Sequence, residues 1–190
     1  MKELFIIAGP NGAGKTTAAF TLLPDFIKVN EYVNADSMAY ALSPFHPDTV
    51  AIQAGRLMLD RINNLASQNK NFAFETTLAS KSFIHLIQKC RQSGYKTNLM
   101  FLYLHNTELA IERVKLRVSQ GGHSIPPNTI IRRYKRGLKN LFGLYMPIID
   151  NWWFYDNSDN SPDLISKKLL SQPLEIVNVE LWNNCKKTYG

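Results

Sequence analysis

The chain has 190 residues, is 45% hydrophobic and carries a formal net charge of +7. This length predicts a single domain, residues 1–190, that buries roughly 70% of the surface exposed by the unfolded chain. The two cysteines lack metal-ligand spacing, no apolar run reaches the length of a membrane span, and no charged-then-apolar leader precedes the first strand. We therefore expect a reduced, cytoplasmic protein and not an exported or membrane-embedded one.

The first predicted elements are a short strand and a glycine-rich loop. Residues 4–7, LFII, predict a buried strand, and residues 9–16, GPNGAGKT, match the P-loop pattern G-x-x-x-x-G-K-[ST] at every fixed position. Glycines allow such a loop to wrap around a polyphosphate with its N–H groups pointing inward. Lys15 would neutralise the β- and γ-phosphates, and Thr16 would offer a hydroxyl to Mg²⁺ at the positive end of the next helix. The predicted nucleotide-binding residues of the loop are Gly9, Pro10, Asn11, Gly12, Ala13, Gly14, Lys15, Thr16 and Thr17.

Two acidic residues follow predicted strands downstream of this loop. Asp36 ends the short strand 32–36, and Glu75 emerges from the apolar strand 71–77. Ligands sit at the carboxyl ends of strands in open α/β sheets, so both side chains are expected at the rim where the phosphates lie. Asp36 is predicted to act in catalysis or bind Mg²⁺, with an N-cap of the next helix as the alternative. Glu75 is predicted to contact substrate or Mg²⁺, with a glutamate satisfied by neighbouring backbone as the alternative.

The middle of the chain predicts two helices and a central strand. Asp48 is expected to cap a long helix whose apolar stripe runs over 50–65. Arg56 lies off this stripe, so it is a candidate to contact an acidic or phosphorylated substrate, with a plain exposed arginine as the alternative. A helix is predicted over 80–93, and the apolar run 97–104 predicts a parallel strand covered on both faces.

The positive charge is concentrated in one segment. Residues 113–139 contain eight lysines and arginines and no acidic residue, whereas the rest of the chain carries 14 cations and 15 anions. This pattern favours a nearby anionic ligand over a solvated charged face. Arg113 and Arg117 lie one turn apart on one predicted helix, and further arginines follow on the next helix after a Gly-Gly break. We predict a hinged helical lid over about 113–136 that closes arginines over a transferring phosphoryl group.

The C-terminal part predicts one more strand of the main sheet and a short tail. Residues 152–155 form a predicted fifth strand that leads into Asn157 and Ser158. The loop after the last strand lies next to the P-loop in such sheets, so these two residues are candidates to contact the nucleotide base. A plain polar turn is an equally good interpretation. The tail, 174–189, predicts a short strand and a helix without evident chemistry.

Five short motifs then occur in a distinctive order. They are AGPNGAGKTT at 8–17, NAD at 34–36, FETT at 74–77, GGHSIP at 121–126 followed by IRRY, and YDNS at 155–158. Together they resemble the zeta toxin family of P-loop kinases, in its compact single-domain branch, over about residues 4–158. The resemblance implies an α/β P-loop NTPase fold with a five-stranded parallel sheet flanked by helices, similar to nucleotide kinases. It also implies ATP and Mg²⁺ as cofactors.

The resemblance implies an activity and partners. In the best-known zeta toxins, the γ-phosphate of ATP is transferred to a hydroxyl of UDP-N-acetylglucosamine, and a protein antitoxin blocks the ATP site. By the same motifs, Lys15 and Thr16 would hold ATP and Mg²⁺. Asp36 would take the proton of the acceptor hydroxyl and is also a candidate metal ligand. Glu75 and Thr76 would position a UDP-N-acetylamino sugar or another nucleotide-containing acceptor.

The lid arginines are assigned by the same resemblance. Arg117 and Arg132 are predicted to bind the γ-phosphate, with Arg113 and Arg133 as alternatives. Asn157 and Arg56 complete the expected nucleotide and substrate contacts. These assignments describe an ATP-dependent kinase acting on a small molecule.

Two other functional classes remain as alternatives to a kinase. A mechanical ATPase of the ABC type begins with a similar P-loop but needs an LSGGQ-like signature. Residues 118–122, VSQGG, contain similar residues in a different order and do not match it. A nucleotide-gated nucleic-acid-binding protein would use the basic segment 113–139 as a phosphate track. Tyr134 lies on the predicted packing stripe, which leaves few exposed aromatic residues for base stacking and makes nucleic acid an unfavoured partner.

Overall fold

A β-sheet with helices on both faces organises the chain, which the computed structural model describes at residues 2–23, 27, 29–122, 124–159 and 161–190. The strands are β1 (Lys2–Ala8), β2 (Tyr32–Val33), β3 (Phe72–Thr76), β4 (Tyr95–Tyr103), β5 (Asn151–Asp156), β6 (Asp163–Lys168) and β7 (Glu175–Ile176). The helices are α1 (Lys15–Leu22), α2 (Ala35–Leu42), α3 (Ala51–Ser67), α4 (Phe83–Gln92), α5 (Thr107–Ser119), α6 (Pro127–Asn140) and α7 (Val179–Tyr189). Among these described residues, no helix combines the length and the apolar character that crossing a bilayer requires.

The sheet is parallel over most of its width. Within the described residues its strand order is β2-β3-β1-β4-β5-β6-β7, and the first five strands pair in parallel. This confirms the predicted α/β fold and its parallel sheet, but β6 and β7 add two antiparallel strands at one edge. The sequence analysis missed β6 because four of its six residues, DLISKK, are polar or charged and only Ile165 and Ser166 are buried.

The register of β1 and β3 fixes the place where the functional loops meet. Ala8, the last residue of β1, lies opposite Thr76, the last residue of β3, and Ile7 lies opposite Glu75. On β1, Leu4 and Ile6 pack into the main core, whereas Ile7 packs with α1 on the other face of the sheet. The P-loop and the end of β3 therefore begin side by side at the carboxyl edge of the sheet.

Two expected helix starts differ from the structure. Asn34, and not Asp36, caps α2, because its side-chain oxygen accepts hydrogen bonds from the backbone N–H groups of Asp36 at 2.7 Å and Ser37 at 3.3 Å. Asp48 lies inside a 3₁₀ turn, Pro47–Val50, that precedes α3, so it does not cap that helix. The first turn of α2 therefore presents Asp36 without needing its carboxylate for capping.

The helices of the expected lid are α5 and α6, joined by residues 120–126, of which His123 lies outside the described residues. The inner face of α6 belongs to the core. Tyr134 is buried and donates a hydrogen bond from its hydroxyl to the carbonyl of Leu104 at 2.6 Å, and Leu138 is fully buried. Opening of α6 would expose these side chains, so the predicted hinge stays a prediction that carries this cost.

A partly buried carboxylate joins the start of β4 to the start of β5. Asp150 accepts hydrogen bonds from the backbone N–H and the hydroxyl of Thr97, both at 2.9 Å, and from Arg91 at 2.7 Å. Burial alone would raise the pKa of Asp150, but the bonds from Thr97 and the charge of Arg91 outweigh it and hold the pKa below its ordinary value. The carboxylate therefore stabilises the fold in its ionised form.

We expect Asp150→Asn to lower the free energy of unfolding by about 1–3 kcal/mol at neutral pH, because hydrogen bonds to a charged acceptor are lost. Since the folded pKa is depressed, the wild type keeps this stabilisation above the ordinary carboxyl pKa of 3.8 and loses it as the pH falls through the lower folded value. Urea denaturation across this range, with the exposed Asp163→Asn as control, measures the effect. A difference from wild type that is equal at neutral and acidic pH would contradict it.

Candidate active site

The P-loop leaves β1 at Ala8 and enters α1 at Lys15. Gly12 has a φ of 80°, and a Cβ at this position would lie 2.8 Å from the carbonyl oxygen of Ala110. A Cβ on Gly9 would overlap the carbonyl oxygen of Leu102. These two glycines are therefore required by the turn and by the close approach of neighbouring backbone, which leaves a side-chain-free concave loop at the start of α1.

Lys15 lies buried beneath the loop. Its side chain is 6% exposed, and its Nζ donates to the carbonyl of Pro10 at 2.9 Å and lies 3.5 Å from the Glu75 carboxylate. The neighbouring hydroxyl of Thr16 donates to the other Glu75 oxygen at 2.8 Å. The P-loop cation and hydroxyl therefore converge on the one carboxylate at the end of β3.

Glu75 receives two further hydrogen bonds that the sequence analysis did not anticipate. Tyr32 donates its hydroxyl at 2.6 Å and Asn34 its side-chain amide at 2.9 Å to the same oxygen that accepts from Thr16. Burial, together with the charge of Glu75 and its hydrogen bond, raises the pKa of the Tyr32 hydroxyl far above its ordinary value, so Tyr32 stays a donor. The sequence did contain a signal for these two bonds. Tyr32 and Asn34 flank Val33 in a strand that was predicted to end beside the phosphates, so both polar side chains could have been expected near Glu75.

The donor set at this point fits Mg²⁺. Mg²⁺ prefers hard oxygen ligands, commonly a carboxylate together with phosphate oxygens and water. The Thr16 hydroxyl and the Glu75 carboxylate are such ligands and already lie within hydrogen-bonding distance of each other. These two residues would hold the ion, whereas the predicted metal ligand Asp36 makes no hydrogen bond to Thr16 in the described residues.

A cavity of about 460 Å³ opens next to the P-loop. It contains all four residues predicted to bind substrate, which are Asp36, Arg56, Glu75 and Thr76. The P-loop contributes Asn11 and Lys15 to its wall, and α6 contributes Arg133. The side-chain oxygen of Asn11 is buried without a hydrogen-bond partner among the described residues. The cavity is therefore continuous from the phosphate-binding loop to the carboxylate of α2.

The structure distributes the lid arginines differently from the prediction. Arg133 is half-buried and lines the cavity, whereas Arg132 is exposed and does not. Adjacent residues point about 100° apart on a helix, so the two side chains leave α6 in different directions. Arg117 also lies outside the cavity lining; its carbonyl accepts from the N–H of Gly122 at 2.9 Å. Of the arginines named as candidates for the γ-phosphate, Arg133 therefore lies nearest to the predicted role in this arrangement, and the assignment of Arg117 and Arg132 stays a prediction.

The loop after β5 lies against the P-loop, as predicted. The side-chain amide of Asn157 donates to the carbonyl of Ala13 at 2.8 Å. Arg113 of α5 holds this loop by donating to the carbonyls of Asn157 at 2.7 Å and Ser158 at 2.6 Å. Arg113 is therefore occupied by backbone carbonyls and supports the nucleotide side of the site indirectly. No contact of Thr17 with the site is seen among the described residues beyond its place in α1.

The P-loop at the end of β1, the carboxylate at the end of the neighbouring β3 and the helices beside them define a P-loop nucleotide-binding fold. A model of the Zeta toxin family, described as Zeta toxin, matches residues 1–159. The chain belongs to this family, as its motifs predicted. An uncharacterized protein of Haemophilus influenzae is 28% identical over 126 residues, covering 66% of this chain and 88% of its own length.

Solved structures share the fold. The AvrRxo1-ORF1:-ORF2 crystal structure with ATP superposes with a TM-score of 0.79 at 18% identity, covering 97% of this chain and 63% of that chain. A structure from the PezAT chromosomal toxin-antitoxin system of Streptococcus pneumoniae superposes with a TM-score of 0.64 at 16% identity, covering 99% of this chain and 86% of that chain. The present chain thus spans less than two thirds of the AvrRxo1 chain.

We expect Arg113→Ala to weaken ATP binding about tenfold, because two hydrogen bonds that hold the Asn157 loop against the P-loop are lost. The exposed Lys115→Ala, on the same helix, removes a cation without these contacts and serves as the control. Isothermal titration calorimetry with a non-hydrolysable ATP analogue measures both dissociation constants. Equal weakening by the two variants would show that the effect is general electrostatics and would contradict the role given to Arg113.

Proposed function

We propose that the protein transfers the γ-phosphate of ATP to a hydroxyl group of a small molecule. The observation that carries this proposal is the single cavity of about 460 Å³ shared by the P-loop lysine and the Asp36 carboxylate. Phosphoryl transfer needs the donor phosphates and an acceptor hydroxyl in one site from which water can be excluded. A mechanical ATPase needs a site for ATP but no adjoining space for an acceptor.

The residues of the cavity suggest separate roles. Lys15 would neutralise the β- and γ-phosphates, and Mg²⁺ held by Thr16 and Glu75 would neutralise further charge on them. Asp36 would accept the proton of the acceptor hydroxyl, which contributes typically about 10² to 10⁴ in rate. Its side chain is exposed and has no hydrogen-bond or ion-pair partner in the described part of the chain, so the carboxylate is available as a base.

The charges of the cavity support an acceptor that carries phosphate. Arg56 and Arg133 line it in addition to Lys15. One of these cations is enough to bind the γ-phosphate, so another can bind an anionic part of the acceptor. We therefore propose a UDP-N-acetylamino sugar, or another nucleotide-containing molecule, as the acceptor.

We also propose a protein antitoxin as a partner and the cytoplasm as the compartment. The PezAT system is described as a toxin-antitoxin system, and AvrRxo1-ORF1 was crystallised with a second protein, ORF2. Cys90 and Cys185 are both buried free thiols, as expected in a reducing compartment. The nucleic-acid alternative is less well supported, because the Tyr134 ring of the basic segment is buried and cannot stack on a base.

The substrate is tested by incubating the protein with γ-labelled ATP, Mg²⁺ and a panel of UDP-sugars, nucleotides and dinucleotides. We expect one UDP-N-acetylamino sugar to gain a phosphate. Asp36→Asn is expected to lower kcat by about 10² to 10⁴ without changing the affinity for ATP, whereas the exposed Asp60→Asn on α3 leaves kcat unchanged. Transfer by Asp36→Asn at the wild-type rate would overturn the base assignment, and ATP hydrolysis without a labelled acceptor would overturn the kinase proposal.

A pair of adjacent variants tests the arginine. We expect Arg133→Ala to lower kcat by roughly 10³, because an arginine on the transferring group stabilises charge that develops in the transition state. Arg132→Ala, one residue away and outside the cavity, is expected to change kcat by less than about threefold. Steady-state kinetics of both variants with the identified acceptor measure the difference. The reverse order would return the role to Arg132.

A further inference from the structure

A short loop that follows β3 forms part of the cavity wall. We call residues 77–80 the acceptor loop; Thr77, Ala79 and Ser80 line the cavity. A helix was expected to begin at Ser80, but α4 begins only at Phe83. The Ser80 hydroxyl accepts a hydrogen bond from the Ser82 N–H and forms another with the Ser82 hydroxyl, and such local bonds compete with the helix. The segment before α4 is therefore irregular backbone that needs partners outside itself.

The acceptor loop contains a strained residue. Leu78 is fully buried and has a φ of 55°, a left-handed conformation that is rare for residues other than glycine. Such conformations persist only where the surrounding structure enforces them, and they cluster at functional sites. One local contact helps: the N–H of Leu78 donates to the hydroxyl of Thr76 at 3.1 Å. The other contacts come from a distant part of the chain.

The C-terminal half of α6 and the π turn that follows it, Leu141–Tyr145, bind the carbonyl groups of this loop. The side-chain amide of Asn140 donates to the Leu78 carbonyl at 2.7 Å, and the hydroxyl of Tyr145 donates to the Ser80 carbonyl at 2.5 Å. Gly137 lies so close to the loop that a Cβ would overlap the Thr77 carbonyl oxygen. Three of the four loop carbonyls thus contact one continuous helical segment.

The same segment carries Arg133. Residues four apart lie on one helix face, so Arg133 and Gly137 face the same side, one into the cavity and the other onto its wall. Glycine is the least favourable ordinary residue in a helix interior apart from proline, so Gly137 has a packing reason to be there. The closeness of α6 to the loop fixes the separation between the guanidinium group and the surface on which an acceptor would rest.

We infer that Gly137 and Asn140 are positioning residues that fix the distance between the acceptor loop and Arg133. This inference rests on the proposed kinase function and deepens it. Neither residue needs to touch a substrate: Asn140 is buried behind the loop, and Gly137 contributes only its lack of a side chain. Their role is to hold Thr77, Ala79 and Ser80 where the acceptor binds. A shift of this wall would weaken acceptor binding and misalign the hydroxyl, while the P-loop would still bind ATP.

Three variants test the inference. Gly137→Ala pushes the helix from the Thr77 carbonyl, Asn140→Leu leaves the Leu78 carbonyl unpaired, and Tyr145→Phe is a milder change at Ser80. The matched control is Gly143→Ala in the π turn, where a new Cβ meets nothing within 4 Å. We expect kcat/KM for the acceptor to fall about 10²-fold for Gly137→Ala and about tenfold for Asn140→Leu. Tyr145→Phe should give a smaller fall of about three- to tenfold.

The KM for ATP is expected to stay within about twofold of wild type in all four proteins, because the P-loop that binds the nucleotide is not changed. Gly143→Ala is expected to match the wild type in every measurement. An equal loss on the ATP and acceptor sides, or wild-type acceptor kinetics in both Gly137→Ala and Asn140→Leu, would overturn the inference. Thermal melting of each variant identifies any that fails to fold, and Tyr145→Phe then carries the kinetic test.

Amide hydrogen exchange separates this inference from the proposed function. We expect Gly137→Ala and Asn140→Leu to speed exchange at the Leu78 amide, with little change at the P-loop amides. If the wild type phosphorylates no acceptor in the panel, the proposed function fails while this comparison still reports on the loop. Unchanged exchange at Leu78 in both variants would overturn the positioning role even in an active kinase.

Discussion

The contact between Glu75 and the two P-loop residues Lys15 and Thr16 determines how the site is assembled. Both charged side chains are almost fully buried, with 6% of Lys15 and 9% of Glu75 exposed. An isolated buried ion pair is expensive, because desolvation can exceed the attraction between the charges. Here the remaining polar atoms are satisfied by Tyr32, Asn34 and the Pro10 carbonyl. The arrangement therefore holds β1, β2 and β3 in one register at the edge where a nucleotide would bind.

Local sequence patterns predict some features of the structure, whereas other features depend on contacts between distant parts of the chain. The P-loop, a strand just before Asp36, a strand that contains Glu75, and the arginine-bearing helices follow from motifs and periodicity, which are local. The choice between Arg132 and Arg133 depends on the rotation of α6 against the acceptor loop, which is set by contacts more than 50 residues apart in the chain. The partners of Glu75 depend on the pairing of β2 with β3. The edge strand β6 was missed because its polar residues lack the alternation of a half-buried strand.

The basic segment illustrates the same division. Its excess of cations indicated an anionic ligand, and Arg133 does line the cavity. Arg113, however, binds the backbone carbonyls after β5, and the inner side of α6 is core. Charge in the sequence therefore indicated a segment that contributes to the cavity wall, but it did not separate arginines that hold the backbone around the site from arginines that face the cavity. Only the hydrogen-bond partners make that distinction, and they belong to loops that no periodic pattern describes.

The last helix lies beyond the part of the chain that matches the family, yet its side chains complete the core. Trp182 of α7 stacks on Trp152 of β5 with ring centroids 5.8 Å apart, and Tyr189 meets the ring of Tyr134 on α6. Removal of α7 would therefore uncover the Trp152 ring on β5 and the Tyr134 ring on the inner face of α6. Because Arg133 lies on α6, these ring contacts connect a helix outside the family match to one wall of the cavity.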